Sequence, residues 1–290
     1  MKIRKLVALF LCLAMICSFF VACGSAEKAP KTESPAEQSA AQSGADAVEE
    51  AVGKLDGTGL KIGLSQQHLT NDFNRGLLAG ATAMAEELGA ELITANAQGD
   101  SNKQVSDMEN FLTMGVDAVI IGGGEAPAFA EVIKKMNEAN IPIITIDMTR
   151  SETTECNLTS DNFNAGEQLA LYVANKLGGK GNILLLDTPG WHSIEIRVRM
   201  LEEVTSDYPD LNIVQTISIA TQDAVNNYAK EVKAYLQGNP DVQCIFADWG
   251  LAAVGASQAL REMGLTDEIF VVTIDADQVV MDLSLIHISE

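Results

Sequence analysis

Residues 114–147 read MGVDAVIIGGGEAPAFAEVIKKMNEANIPIITID. The stretch holds an apolar run at 118–122, a glycine-rich turn, an amphipathic segment at 127–137 and a second apolar run at 141–146. Short continuous apolar runs suit strands buried on both faces, as in a parallel sheet covered by helices. The helical-length spacer supplies the crossover that parallel strands need. Pro127 suits the first position of that helix, where no N–H is required. This stretch predicts one βαβ unit.

The same alternation extends in both directions. Apolar runs at 60–65 and 92–95 precede it, and runs at 182–186, 213–219, 242–247 and 269–274 follow. Between them lie segments of helical length at 74–88, 102–114, 225–237 and 250–263. Gly89, Gly115, Gly178 and Gly264 fall where left-handed C-caps are needed. The rhythm pauses at 156–164, where a short strand at 156–159 runs into Ser160-Asp161-Asn162 before alternation resumes near Ala165. The expectation is an α/β fold of two doubly wound parallel-sheet lobes, 60–160 and 161–282. Ligands of such sheets bind outside the C-terminal ends of the strands.

Composition narrows the function. The chain has 290 residues, 47% of them hydrophobic, with 19 Lys+Arg against 40 Asp+Glu and a formal net charge of −21. A nucleic-acid binder needs a basic footprint, and this balance excludes one. The first 22 residues are a separate object: Lys2, Arg4 and Lys5 precede an apolar run at 6–22, the pattern of a secretory signal. Its removal leaves 16 cations against 40 acids, a mature charge of −24. Residues 24–59 are rich in Ala, Ser, Glu, Gly, Lys and Pro, which suits a flexible tether. Of the five cysteines, Cys156 and Cys244 lie inside the lobes and are expected as buried free thiols. No metal site or cofactor is expected.

Several ordered pieces carry a family resemblance. They are IGLSQQHLTNDF (62–73), Glu87-Leu88-Gly89, MGVDAVII (114–121), ANIPIITID (139–147), Ser160-Asp161-Asn162, Pro240-Asp241-Val242-Gln243 and Thr273-Ile274-Asp275. In this order they resemble the ribose- and galactose-type solute-binding proteins of sugar ABC transporters, from about Leu60 to Met281. The resemblance implies the type I periplasmic binding protein fold, two α/β lobes joined by a hinge and closing on a sugar. It further implies a permease partner, a monomer and no enzymatic activity. Phe20-Val21-Ala22-Cys23-Gly24 resembles a bacterial lipobox, with Phe20 in place of the usual Leu. In that reading Cys23 is acylated and the tether holds the lobes outside the cytoplasm at the membrane.

Residue by residue, the resemblance makes Phe73 a ring that stacks on a sugar, and Asp147 and Asp275 acceptors of sugar hydroxyls. Arg197 matches an Arg whose fork holds two oxygens, and Gln67 and Asn71 line the first loop. The two acids could equally be strand-end carboxylates or helix N-caps. Met148 stands where the family often has Arg, with Arg150 nearby as a substitute. Trp249 occupies a slot where ribose-type members carry Asn, beside Asp248, and Trp191 lies in another strand-end loop.

The Gly122-Gly123-Gly124 turn lacks G-x-G-x-x-G spacing and sits beside Glu125, which would repel a phosphate. Residues 161–167 mimic a calcium loop, but Phe163 stands where an oxygen is required. Two alternatives remain open: a sensory lipoprotein presenting a sugar-like signal to a receptor, and, more remotely, a secreted enzyme on the same lobes. At the other terminus, residues 283–290 (LSLIHISE) resemble translated sequencing adapter. The expectation there is a fold incomplete at its C-terminus.

Overall fold

The computed structural model describes residues 55–286, except 125, 150, 151 and 221. The signal segment, Cys23 and Arg150 lie outside the described residues, as do most of the tether and the final four residues. The chain divides into two compact units between Leu158 and Thr159.

The first unit begins with β1 (Lys61–Gln66), α1 (Asp72–Leu88), β2 (Glu91–Asn96), α2 (Ser101–Met114) and β3 (Ala118–Gly122). A 3₁₀ turn, Ala126–Phe129, then leads into α3 (Ala130–Glu138), β4 (Ile143–Ile146) and β5 (Cys156–Leu158). All pairings are parallel, in the order β2-β1-β3-β4-β5. Alternate residues of the strands feed two apolar layers. Ile62, Leu64, Ile120 and Ile144 meet Leu77 and Ala81 of α1. Val119, Ile121 and Ile143 meet Met108 and Phe111 of α2 and Val132 and Met136 of α3. This two-sided burial is why the strands are unbroken apolar runs.

The second unit runs α4 (Asn162–Lys176), β6 (Lys180–Asp187), α5 (His192–Ser206), β7 (Asp210–Ser218) and α6 (Ala224–Gly238). It continues with β8 (Cys244–Ala247), α7 (Gly250–Met263), β9 (Phe270–Val272) and α8 (Gln278–Ile286). Its parallel strands stand in the order β7-β6-β8-β9. Ile183, Leu185 and Phe246 face α4 and α5, and Leu184, Leu186 and Ile245 face α6 and α7. Among the described residues, no helix is long and apolar enough to cross a membrane.

The expected α/β class with parallel sheets is the class observed. Two details differ. Pro127 stands in the 3₁₀ turn and the α-helix starts three residues later, at Ala130. Leu55 and Gly57, assigned to the tether, belong to the first unit. Leu55 packs on its core, and the Gly57 N–H donates to Leu88 O at 2.8 Å. One apolar side chain and one backbone hydrogen bond to the last residue of α1 tie this segment to the unit. Cys244 is free and buried as expected, and Cys156, in β5, is half-buried.

Candidate functional site

Each sheet has a topological switch point, where connections leave a pair of neighbouring strands in opposite directions. In the first unit it lies between β1 and β3, and in the second between β6 and β8. The crevice beyond the strand C-termini at such a point is where open α/β sheets bind ligands.

In the first unit, Gln66 ends β1 and Gln67 follows it. The Gln66 Nε2 donates to Asn74 O at 2.8 Å. Gln67 is anchored through its backbone: its N–H donates to Gly122 O at 3.0 Å, and its carbonyl accepts from Gly99 N at 2.7 Å. Its side chain is only 7% exposed. Among the described residues, the buried Gln67 Oε1, Ser65 Oγ and Gln104 Oε1 have no hydrogen-bond partner. Buried polar atoms are ordinarily satisfied, so unpaired ones at a strand end mark a place for water or ligand.

Asn71 is the N-cap of α1, its side chain accepting from Asn74 N at 2.9 Å. That oxygen is thereby committed to the helix. Phe73, in the first turn of α1, is half-buried against the core. Asp147 follows β4 with φ +53°, and its N–H donates to Leu158 O at 2.8 Å. Met148, in the slot where an Arg was considered, is buried in the α2–α3 layer. His68, in the loop after β1, is buried, and burial holds its pKa below the ordinary value.

The second unit assembles a denser constellation. Arg197, on α5, is 9% exposed. Its Nε donates to Asn162 Oδ1 at 3.0 Å, and its Nη1 donates to Asp248 O at 2.9 Å and Asp275 Oδ1 at 2.8 Å. The other oxygen of Asp275 accepts from Gly250 N at 3.0 Å, at the start of α7. The carboxylate therefore joins a guanidinium to a helix N-terminus, where both the open N–H and the helix dipole favour an anion. The hydroxyl-acceptor and helix-cap readings of Asp275 are not exclusive, since each carboxylate oxygen has lone pairs beyond the bond it makes.

Trp249 immediately precedes α7. Its indole is 5% exposed and packs in the α6–α7 core layer. Among the described residues its Nε1–H has no acceptor. Trp191 is half-buried at the start of α5 and packs on the same layer.

Sequence reasoning assigned no site role to four residues here. Asn162 holds the Arg197 fork, and its signal was available in Ser160-Asp161-Asn162. Asp248, Thr188 and Tyr228, all fully buried, form a network at the β6 and β8 ends. Burial pushes the Asp248 carboxyl up to about 8; the nearby Asp187 adds to the rise, while hydrogen bonds from Thr188 and the charge of Arg197 oppose it. Nothing in the linear pattern distinguishes Tyr228 from any aromatic on an amphipathic helix.

A model of the periplasmic binding protein domain matches residues 62–284. The chain belongs to the periplasmic binding protein family. This periplasmic binding protein is 29% identical to the ribose import binding protein of Bacillus subtilis (strain 168) over 229 residues, covering 75% of this chain and 70% of that protein. Solved structures agree. An ABC sugar transporter subunit from Rhodobacter sphaeroides 2.4.1 is 27% identical with a TM-score of 0.71, over 77% of this chain and 80% of that one. An ABC transporter periplasmic solute binding protein from Actinobacillus succinogenes 130z, with bound D-allose, is 28% identical with a TM-score of 0.66. That match covers 73% of this chain and 76% of the other. The type I sugar-binding family read from the ordered motifs is thus the family found, and the relatives are solute-binding proteins.

Proposed function

We propose that this periplasmic binding protein captures a neutral monosaccharide outside the cytoplasm and delivers it to an ABC transporter permease. Gln67, Phe73 and Asp147 serve the ligand from the first unit. Arg197, Trp249 and Asp275 serve it from the second, with Asn71 and Trp191 as supporting loop residues. The observation that carries this reading is the Arg197–Asp275 pair, which ties α5 to the start of α7 beyond the second-unit strand ends.

The chemistry favours a neutral polyol. A sugar hydroxyl both donates and accepts, so it can donate to Asp275 and also receive from Arg197 or Trp249. The Arg197 charge is already balanced by Asp275, which leaves little attraction for a sugar acid. Phe73 offers an apolar face to the C–H side of a ring. The protein is further read as a monomer, tethered to the membrane through an acylated Cys23.

Calorimetry on the native protein tests the reading with D-ribose, D-allose, D-galacturonate and a set of amino acids. The expected result is saturable binding of a neutral sugar. Binding confined to amino acids or to the sugar acid overturns it. Deletion of the gene should then abolish uptake of the same sugar; unchanged uptake would remove the transport role.

A further inference from the structure

The network beneath the second-unit strand ends contains a carboxyl that the proposed sugar contacts leave unused. Asp248 is fully buried, at the end of β8. Its Oδ2 accepts from Thr188 N, just past β6, and its Oδ1 lies 3.3 Å from Thr188 Oγ1. Thr188 Oγ1 is 2.8 Å from the Tyr228 hydroxyl, which is 2.6 Å from the carbonyl oxygen of Asp187.

These contacts form a row of four oxygens: the two links through the Tyr228 hydroxyl are 2.6 and 2.8 Å, and the Asp248–Thr188 link is longer, at 3.3 Å. The Asp187 carbonyl can only accept. Tyr228 and Thr188 bring one proton each. An ionised Asp248 brings none, so every arrangement of the two hydroxyl protons leaves one oxygen–oxygen contact without hydrogen. A neutral Asp248 completes the row: its Oδ1–H donates to Thr188, Thr188 to Tyr228, and Tyr228 to the Asp187 carbonyl.

We propose that Asp248 is a neutral carboxylic acid in the folded protein and acts as a positioning residue for the second-unit site. It joins the C-terminal ends of β6 and β8 at the switch point. Its own backbone carbonyl holds Arg197, and the two residues after it are Trp249 and Gly250, the latter bonded to Asp275.

The surroundings agree with a neutral group. The titratable neighbours are Asp187 from β6, Tyr228 from α6, Arg197 from α5 and, through Arg197, Asp275. Arg197 directs its hydrogen bonds to the Asp248 backbone, Asn162 and Asp275 rather than to the Asp248 carboxyl. Burial, the largest influence, and the nearby Asp187 both favour the protonated form.

The pH consequence has a definite sign. The folded-state pKa, about 8, lies above the ordinary 3.8. Between those values the folded chain keeps a proton that the unfolded chain has lost. Stability from this group is therefore complete below the ordinary value, falls as pH rises, and levels off above about 8.

The test needs no ligand, so its failure is separate from failure of the sugar-binding reading, on which only the positioning role of Asp248 rests. The full chain, D248N and D248A are unfolded in denaturant from pH 5 to 9. D248N keeps the row, because an amide N–H replaces the acid O–H, and D248A breaks it. The unfolding constant of the wild type relative to D248N should rise about tenfold per pH unit up to about pH 7 and flatten above 8. D248A should be less stable than D248N at every pH. Carbon NMR of aspartate carboxyls should show one wild-type group titrating near pH 8 that is absent from D248N. If D248N fails to fold, the wild-type carbon titration decides by itself. Parallel stability profiles, or no carboxyl titrating above the ordinary range, would overturn the proposal.

Discussion

Asp147 takes a backbone conformation that few non-glycine residues adopt. Its φ of +53° lies in the left-handed region, where a Cβ is crowded and Asp is tolerated better than most. Such outliers persist where the surroundings over-determine them, often at ligand sites. Under the proposed function, Asp147→Ala should weaken sugar binding by about 1–3 kcal/mol, because it leaves a ligand donor unpaired. Asp147→Gly should lose the same affinity yet unfold later than Asp147→Ala, by about 1 kcal/mol, since glycine accepts positive φ. Calorimetry paired with denaturant unfolding separates the two effects. Arg197 differs in kind, because its fork reaches Asn162, Asp248 and Asp275 from two nitrogens. A lysine has one point of charge and cannot span them. Arg197→Lys should therefore destabilise the second unit by about 1–3 kcal/mol even though charge is conserved, measured by denaturant unfolding.

At the scale of elements, helix-on-sheet distance is set by small residues. A Cβ on Gly63, in β1, would come within 2.6 Å of the Phe111 ring of α2. That ring is buried in the layer between the sheet and α2. Gly63→Ala should cost about 1–3 kcal/mol by overpacking. Adding Phe111→Leu should recover part of the loss, a coupling that a double-mutant cycle reads directly. An absence of coupling would show that the β1–α2 spacing is not what Gly63 maintains. Gly255 does the same for α6 and α7, where a Cβ would lie 2.6 Å from Val225 O. The two elements then carry Tyr228 and Trp249 toward the same strand ends.

For the whole molecule, charge and anchoring matter more than packing. A formal charge of −21 promotes solubility and repels other acidic surfaces. A neutral sugar is indifferent to that field, so its affinity should change little between low and physiological salt, whereas any charged ligand would respond. Calorimetry at two ionic strengths checks this. The proposed anchor at Cys23 needs more than one lipid chain to hold firmly. Mass spectrometry of the mature N-terminus should find a diacylated Cys23, and an unmodified start elsewhere would remove the anchor.

The amino-acid sequence by itself determined the class of fold, the alternation of strands and helices, and the family. Period and run length are local properties, and the ordered motifs survive without any coordinates. It also placed Asp147, Trp249 and Asp275 at or just past strand ends, and the family resemblance singled out Arg197. What those side chains do depends on partners far away in the chain. The Arg197–Asp275 bond spans 78 positions and the Thr188–Asp248 bonds span 60. No periodicity signals such pairs. Asn71 likewise reads as a loop residue until its cap on α1 is seen, and Leu55 reads as tether until it is seen to pack. Burial decides the rest: the same carboxyl is an ordinary anion in water and a proton-holding group at Asp248, because only the folded chain removes the water that would solvate its charge.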